Sequence, residues 1–286
     1  MVKDKSMSRL QRAKDVFGIL RTVIPAPETE LEYRDSWQLL VAVMLSAQCT
    51  DARVNLVTPA LFKRFPDTAS MAASTQEEVF KSIRSISYPN SKAKHLVETA
   101  RLIQEEFGGA VPQTVDELIT LKGVGRKTAQ VVASVAFNVP TFAVDTHIFR
   151  IANRIGLVPK NTNTTDKVSK KLKQLLPMDD WGEAHHLLIL HGRYTCTARS
   201  PQCEACPIQS HCVYFGKLQA LPEPQPGLNP QKGAYYCATR RHYFDQPDRM
   251  SDRQGVEQIV CPRCGSMNVF YSKSGKTSKQ VLDYRV

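Results

Sequence analysis

Four cysteines crowd into one short stretch, with the spacing Cys196-x6-Cys203-x2-Cys206-x5-Cys212. Thiolates at such density hold metal, either one tetrahedral zinc or an iron–sulfur cluster, and the spacing alone does not choose between them. A second constellation is Gly123-Val124-Gly125, followed directly by Arg126 and Lys127. Glycines permit a tight turn and let a ligand approach the backbone closely. The turn opens a helix, so unpaired N–H groups point outward at its positive end and can bind a phosphate of any sequence. Val124 is placed to tuck between the two helices. Lys127 falls in the first helical turn, where the helix field is unfavourable for a cation. That field, with the partial burial expected for it, favours a neutral and nucleophilic amine. The plainer alternative for Lys127 is a phosphate contact. Asp145, in Phe142-Ala143-Val144-Asp145-Thr146-His147, is the second catalytic candidate. It precedes the helical spacing Ile148, Ile151, Ala152 and Ile155, so it is also an N-cap candidate, and a capping carboxylate is held rigidly.

These residues need helices to position them. Residues 8–24 carry Leu10, Ala13, Phe17, Leu20 and Ile24 on one side, and Pro25 and Pro27 end the segment. Trp37 to Leu45 is a nearly continuous apolar run, expected to be a buried helix. Amphipathic segments follow at 53–64, 75–86, 91–107 and 114–121, and strand-like alternation is scarce. To about residue 215 the pattern predicts an all-α protein with short connections. Leu221 to Gly227 then begins a proline-rich linker, placed at 216–258, and the polar stretch 228–258 predicts disorder. The tail, 259–286, opens with Cys261-Pro262-Arg263-Cys264, the form of a first zinc-ribbon knuckle. Strands are expected at Asn268–Ser272 and Gln280–Val286, with a turn between them. A ribbon needs a second cysteine pair, which the sequence does not supply; Cys237 and His242 are the candidates to complete a zinc site with Cys261 and Cys264. The alternative is a degenerate ribbon or a disordered basic tail.

Composition narrows the partners. The chain has 286 residues, 42% of them hydrophobic, enough for two modest domains. Its net charge of +11 favours a polyanion, and nucleic acid is the usual one. No apolar run approaches the roughly 18 residues that a membrane span requires. Met1 to Gln11 has no apolar core, so a cytoplasmic protein with no membrane partner is expected. Of the eight cysteines, the clustered ones in that compartment argue for metal or redox chemistry rather than disulfides. Residues 217–286 hold eleven Lys/Arg against six Asp/Glu, which would add nonspecific DNA affinity.

At this point the chain resembles the endonuclease III family of DNA glycosylase/AP lyases. The resemblance is carried by Leu45-Ser46-Ala47-Gln48-Cys49-Thr50-Asp51, by Leu121 to Ala129, by Val144 to Arg150 and by His191-Gly192-Arg193-Tyr194-Thr195-Cys196. It implies a six-helix barrel lobe with the helix-hairpin-helix at 29–139. A second lobe, 1–28 with 140–215, would hold a [4Fe–4S] cluster on Cys196, Cys203, Cys206 and Cys212. Double-stranded DNA would bind between the lobes, as a partner of a monomeric enzyme, and a damaged pyrimidine would be flipped out. Lys127 would displace the base and form a Schiff base, β-elimination would cut the strand, and Asp145 would assist. Gln48 would fill the gap left by the flipped nucleotide, Gly123, Gly125 and Arg126 would hold phosphate, and Arg199 would reach DNA from the cysteine loop. Two positions depart from the family's pattern. Tyr88 stands where leucine commonly wedges the duplex, and Lys122 where proline is common. Mismatch-specific adenine glycosylases usually lack the lysine and carry a larger C-terminal domain, so Lys127 and the small tail argue against that reading. A non-enzymatic, redox-sensing DNA-binding protein is the remaining alternative.

Overall fold

Most helices start where the sequence supplies a side-chain oxygen. The computed structural model describes residues 7–219, 235–237, 242–244, 246, 248–251, 257–260 and 269–271. In it Ser8 caps α1 (Arg9–Val23) by accepting from the Gln11 amide. Asp35 does the same for α2 (Ser36–Ser46), and Thr50 for α3 (Asp51–Arg64). Reciprocal capping boxes open α4 (Thr68–Ala72) and α5 (Gln76–Ile83). Pro89 opens α6 (Pro89–Glu106), and a third box, Thr114 with Glu117, opens α7 (Val115–Leu118). Each such cap satisfies an amide that the helix cannot, which is worth about 1 kcal/mol. Then come α8 (Arg126–Phe137), α9 (Thr146–Ile155), α10 (Thr165–Lys173), α11 (Trp181–Tyr194) and α12 (Val213–Gln219). Residues 7–219 contain no strand, as the helical periodicities predict. The four segments expected at 53–64, 75–86, 91–107 and 114–121 correspond to α3, α5, α6 and α7. The short α4 was not anticipated, because five residues are too few to show a period.

The chain packs as two compact units. One comprises residues 26–146 and 163–187. Its centre is α2, whose residues from Trp37 to Leu45 are all buried, as an all-apolar helix must be. α2 packs on α3, α6 and α8. Leu40→Ala there would cost about 2–5 kcal/mol in transfer and cavity energy. The sequence reading draws a boundary at 140, whereas residues 163–187 pack with 26–146. The polar ties responsible run from α10 and α11 to the segment after α8, and are described below.

The other unit comprises residues 1–25, 147–162 and 188–286. α1 buries Ala13, Val16, Phe17 and Leu20. Its Arg12 donates to the Gly156 carbonyl at 3.2 Å and, through Nε, to the His211 carbonyl at 3.1 Å. In the tail, β1 (Tyr235–Cys237), β2 (His242–Phe244) and β5 (Val269–Tyr271) form an antiparallel sheet in the order β2-β1-β5, and β3 (Asp248–Ser251) pairs with β4 (Glu257–Val260). Tyr235 stacks on Phe244 at 5.7 Å, beside buried Cys237 and Val269. Within the stretch 228–258 where disorder is expected, the described residues 235–237, 242–244, 248–251 and 257–258 are instead in strands. The aromatic triplets Tyr235-Tyr236-Cys237 and His242-Tyr243-Phe244 favour strand but are too short to show alternation. β5 falls within the strand expected at 268–272, while the one expected at 280–286 lies outside the described residues.

Candidate active site and metal centre

The hairpin is built from both sides. α7 ends at Leu118, and the turn is tied to α6 by Thr99, whose hydroxyl donates to the Lys122 carbonyl at 2.7 Å. Val124 is buried between the helices, as expected. Gly123 has φ +76°, and a Cβ there would lie 2.7 Å from the His95 ring, so the turn itself requires glycine. Gly125 does not follow that reasoning. Its φ is −85°, and a Cβ would meet nothing within 4 Å. It caps α8 without any side-chain hydrogen bond, which leaves the first amides of a twelve-residue helix open to an anion. Arg126 and Lys127 follow, both exposed.

Lys127 Nζ stands 3.8 Å from Asp145 Oδ2. The Lys127 side chain is 58% exposed and that of Asp145 only 11%. The burial expected for the lysine is therefore not found; the carboxylate is the buried partner. Asp145 lies at the end of an extended segment whose carbonyls need partners from elsewhere. Three side chains supply them or tie the segment down. Thr141 donates to the Gln130 carbonyl at 2.7 Å, Ser169 on α10 to the Phe142 carbonyl at 2.8 Å, and His185 Nδ1 on α11 to the Ala143 carbonyl at 2.8 Å. The His185 ring also meets the edge of buried Phe142. Burial first, then the neighbouring His186, lowers the His185 pKa to about 4. It is thus a neutral ring near neutral pH, and its bond to a carbonyl requires the proton on Nδ1. Sequence reasoning missed Thr141, Ser169 and His185. The only trace of His185 is a polar residue in the apolar run Ala184, Leu187 and Leu188.

Gln48 and Tyr88 are both exposed with left-handed backbones, φ 56° and 55°. Such a conformation costs a non-glycine residue on the order of 1–3 kcal/mol and clusters at functional positions. Lys92 is also new: its buried amine donates to the Leu45 and Ala47 carbonyls at 2.8 and 2.6 Å.

In the other unit the four thiols of Cys196, Cys203, Cys206 and Cys212 line one cavity with Ile155, His191 and Tyr214. Arg154 reaches Cys196 Sγ at 3.6 Å and the carbonyls of Thr197 and Ala198 at 2.7 and 2.8 Å. Arg150 holds the Cys196 carbonyl at 3.0 Å. Burial and the neighbouring thiols push the Cys206 pKa up to about 11; cationic iron supplies the charge that lets such thiols ionise. Among the described residues, no three Cys, His, Asp or Glu side chains are placed to share one ion. Four thiols lining one cavity are a donor set that would hold an iron–sulfur cluster. Arg199 is exposed on the following loop. Arg199 and the thiols thus belong to one unit, and Lys127, Asp145, Gln48 and Tyr88 to the other. Cys261 and Cys264 lie outside the described residues. Buried Cys237 sits beside Val269 in the small tail core, and the zinc reading finds no support.

Two family models match the regions that hold these residues. Residues 41–178 match the HhH-GPD superfamily of base excision DNA repair proteins, and residues 196–212 match the iron–sulfur binding domain of endonuclease III. The chain is 45% identical over 205 residues to endonuclease III of Rickettsia felis, covering 72% of this chain and 95% of that one. It is 44% identical over 205 residues to endonuclease III of Escherichia coli K12, covering 71% and 96%. A solved structure of a trapped endonuclease III–DNA covalent intermediate superposes with a TM-score of 0.70 at 40% identity, covering 75% of this chain and all of that one. A thermostable thymine-DNA glycosylase shares the fold, with a TM-score of 0.66 at 23% identity. No helix among the described residues is long and apolar enough to cross a membrane. With the hairpin, the lysine–aspartate pair and the cysteine cavity in place, the chain belongs to the endonuclease III family of DNA glycosylase/AP lyases, helix-hairpin-helix proteins with an iron–sulfur centre.

Proposed function

We propose that this chain removes oxidised pyrimidines from double-stranded DNA and cuts the resulting abasic strand by β-elimination, acting as a monomer with Lys127 as nucleophile. The observation that carries this reading is the pair of Lys127 and Asp145. An exposed amine follows a phosphate-ready hairpin and faces a fixed, nearly buried carboxylate at 3.8 Å. Asp145 draws the proton from Lys127, and the free amine attacks C1′ of the sugar. The bond from C1′ to the base breaks, and the base leaves with the proton that Asp145 took up. The ring opens to a protonated Schiff base, loss of a 2′ proton expels the 3′ phosphate, and water releases Lys127. The α8 amides, the Gly123–Gly125 turn and Arg126 hold the phosphate. Gln48 and Tyr88 occupy the space left by the flipped nucleotide. Cys196, Cys203, Cys206 and Cys212 hold a [4Fe–4S] cluster that braces the loop 197–202 and sets Arg199 toward DNA. The Arg154 bonds to the carbonyls of Thr197 and Ala198 support that bracing.

Borohydride trapping tests the nucleophile. The wild-type chain should form a covalent adduct with thymine-glycol or abasic duplex, and Lys127→Ala should form none. Equal trapping by the variant would refute the assignment. Binding without base release in a single-turnover assay would favour the non-enzymatic reading.

A further inference from the structure

Two of the three non-glycine residues with positive φ among the described residues are Gln48 and Tyr88. The third, Asn138, closes α8. A left-handed backbone away from glycine persists only where the surroundings hold it. Tyr88 makes no side-chain cap on α6 and is 65% exposed, so its own ring does not fix it. Gln48 is likewise exposed. The residue that reaches both is Lys92. Its main-chain amide donates to the Tyr88 carbonyl at 3.1 Å, the first bond of α6. Its ammonium turns back to the Ala47 carbonyl at 2.6 Å and the Leu45 carbonyl at 2.8 Å. Ala47 is the C-cap of α2 and directly precedes Gln48. The negative end of a helix and two carbonyls are a favourable seat for a cation. They oppose, without cancelling, the desolvation of a side chain left only 9% exposed, and burial still lowers its pKa.

We infer that Lys92 is a positioning residue for DNA opening: it locks the Gln48 turn to the first turn of α6, so that Gln48 and Tyr88 meet the duplex as one preformed pair. The inference rests on the reading above that these two residues act inside the duplex. It differs from a purely structural cap in one respect. A cap that only stabilises the fold affects every substrate equally, whereas a device that positions two wedges matters only where a partner strand must be propped apart.

The experiment compares Lys92→Met with Lys92→Arg, which keeps donors, after thermal melts show both are folded. If the Met variant does not fold, Lys92→Gln takes its place. The substrates are a thymine-glycol duplex and a single-stranded abasic oligonucleotide. A misplacement of the wedge residues should slow duplex excision by about 10–100-fold. Strand cleavage of the single-stranded substrate should change by less than about twofold, because every step after opening is untouched. 2-Aminopurine opposite the lesion should lose its rapid fluorescence rise with the Met variant and regain it with Arg. Equal losses on both substrates would mean a structural role and overturn the inference. So would an unchanged Met variant alongside slowed Gln48→Ala and Tyr88→Ala, with the wedge reading left intact. Wild-type duplex rates for all three would refute the wedge reading itself, and this inference with it.

Discussion

Asp145 Oδ2 stands 3.8 Å from Lys127 Nζ, a nearly buried carboxylate facing an exposed amine. The separation is beyond direct hydrogen-bond range, so in the mechanism proposed above the two groups must draw closer before a proton passes. Asp145→Asn keeps the shape and removes the base. Single-turnover excision should fall about 10²–10⁴-fold, while affinity for a duplex with an uncleavable abasic analogue stays within about threefold. Wild-type excision by this variant would leave Asp145 a structural role only.

The two hairpin glycines should separate fold from binding. Gly123→Ala places a Cβ against the His95 ring at a φ of +76°. It should cost about 1–3 kcal/mol, read as a melting temperature lower by about 2–4 °C per kcal/mol. Gly125→Ala meets no atom within 4 Å and should melt like wild type. Its penalty should appear in DNA affinity, measured by fluorescence anisotropy at fixed salt.

His185 gives an acid limb to the stability profile. Its pKa lies near 4 when folded, against 6.5 for a free histidine. The unfolded chain therefore binds the extra proton between those values, and stability is lost as pH falls from 6.5 toward 4. The contribution is on the order of 3 kcal/mol at most. Melting curves across this window should have a shallower slope for His185→Asn than for wild type, and identical slopes would sink the idea. His185→Ala should also leave the Ala143 carbonyl unpaired, at a cost of about 1–3 kcal/mol near neutral pH.

The cysteine cavity should contain iron. Protein purified without oxygen should carry about four irons per chain and absorb broadly near the blue. Cys206→Ser should lose much of that iron together with the absorption. Zinc at these thiols would refute the cluster assignment.

Much of this was legible in sequence because it is local. Thr114 with Glu117, the glycine turn and the apolar run 37–45 each declare their conformation within a few residues. The position of Lys127 in the first turn of α8 is legible in the sequence and its exposure is not, since burial depends on what packs there. The supports were out of reach for the same reason. His185 meets Ala143 across 42 positions, and Lys92 meets Ala47 across 45. Nothing in an amphipathic helix marks which lysine turns inward. Of the two reasons that make glycine useful in this turn, torsion and open backbone, Gly123 meets the first and Gly125 only the second. The strands at 235–237 and 242–244 escaped because three aromatic-rich residues show no period.

α1 finds its partners late. Arg12 bonds to the Gly156 and His211 carbonyls, 144 and 199 residues further along. At a translation rate of about 5–20 residues per second, the helix waits roughly 10–40 s after leaving the ribosome for the second of them. Meanwhile Phe17 and Leu20, fully buried at the end, have nothing to cover them. Residues 26–146, by contrast, can begin to condense as they emerge. The nascent chain therefore carries an uncovered apolar stripe on α1 until these later segments emerge, which makes α1 a segment where chaperone capture or aggregation during expression should be sought.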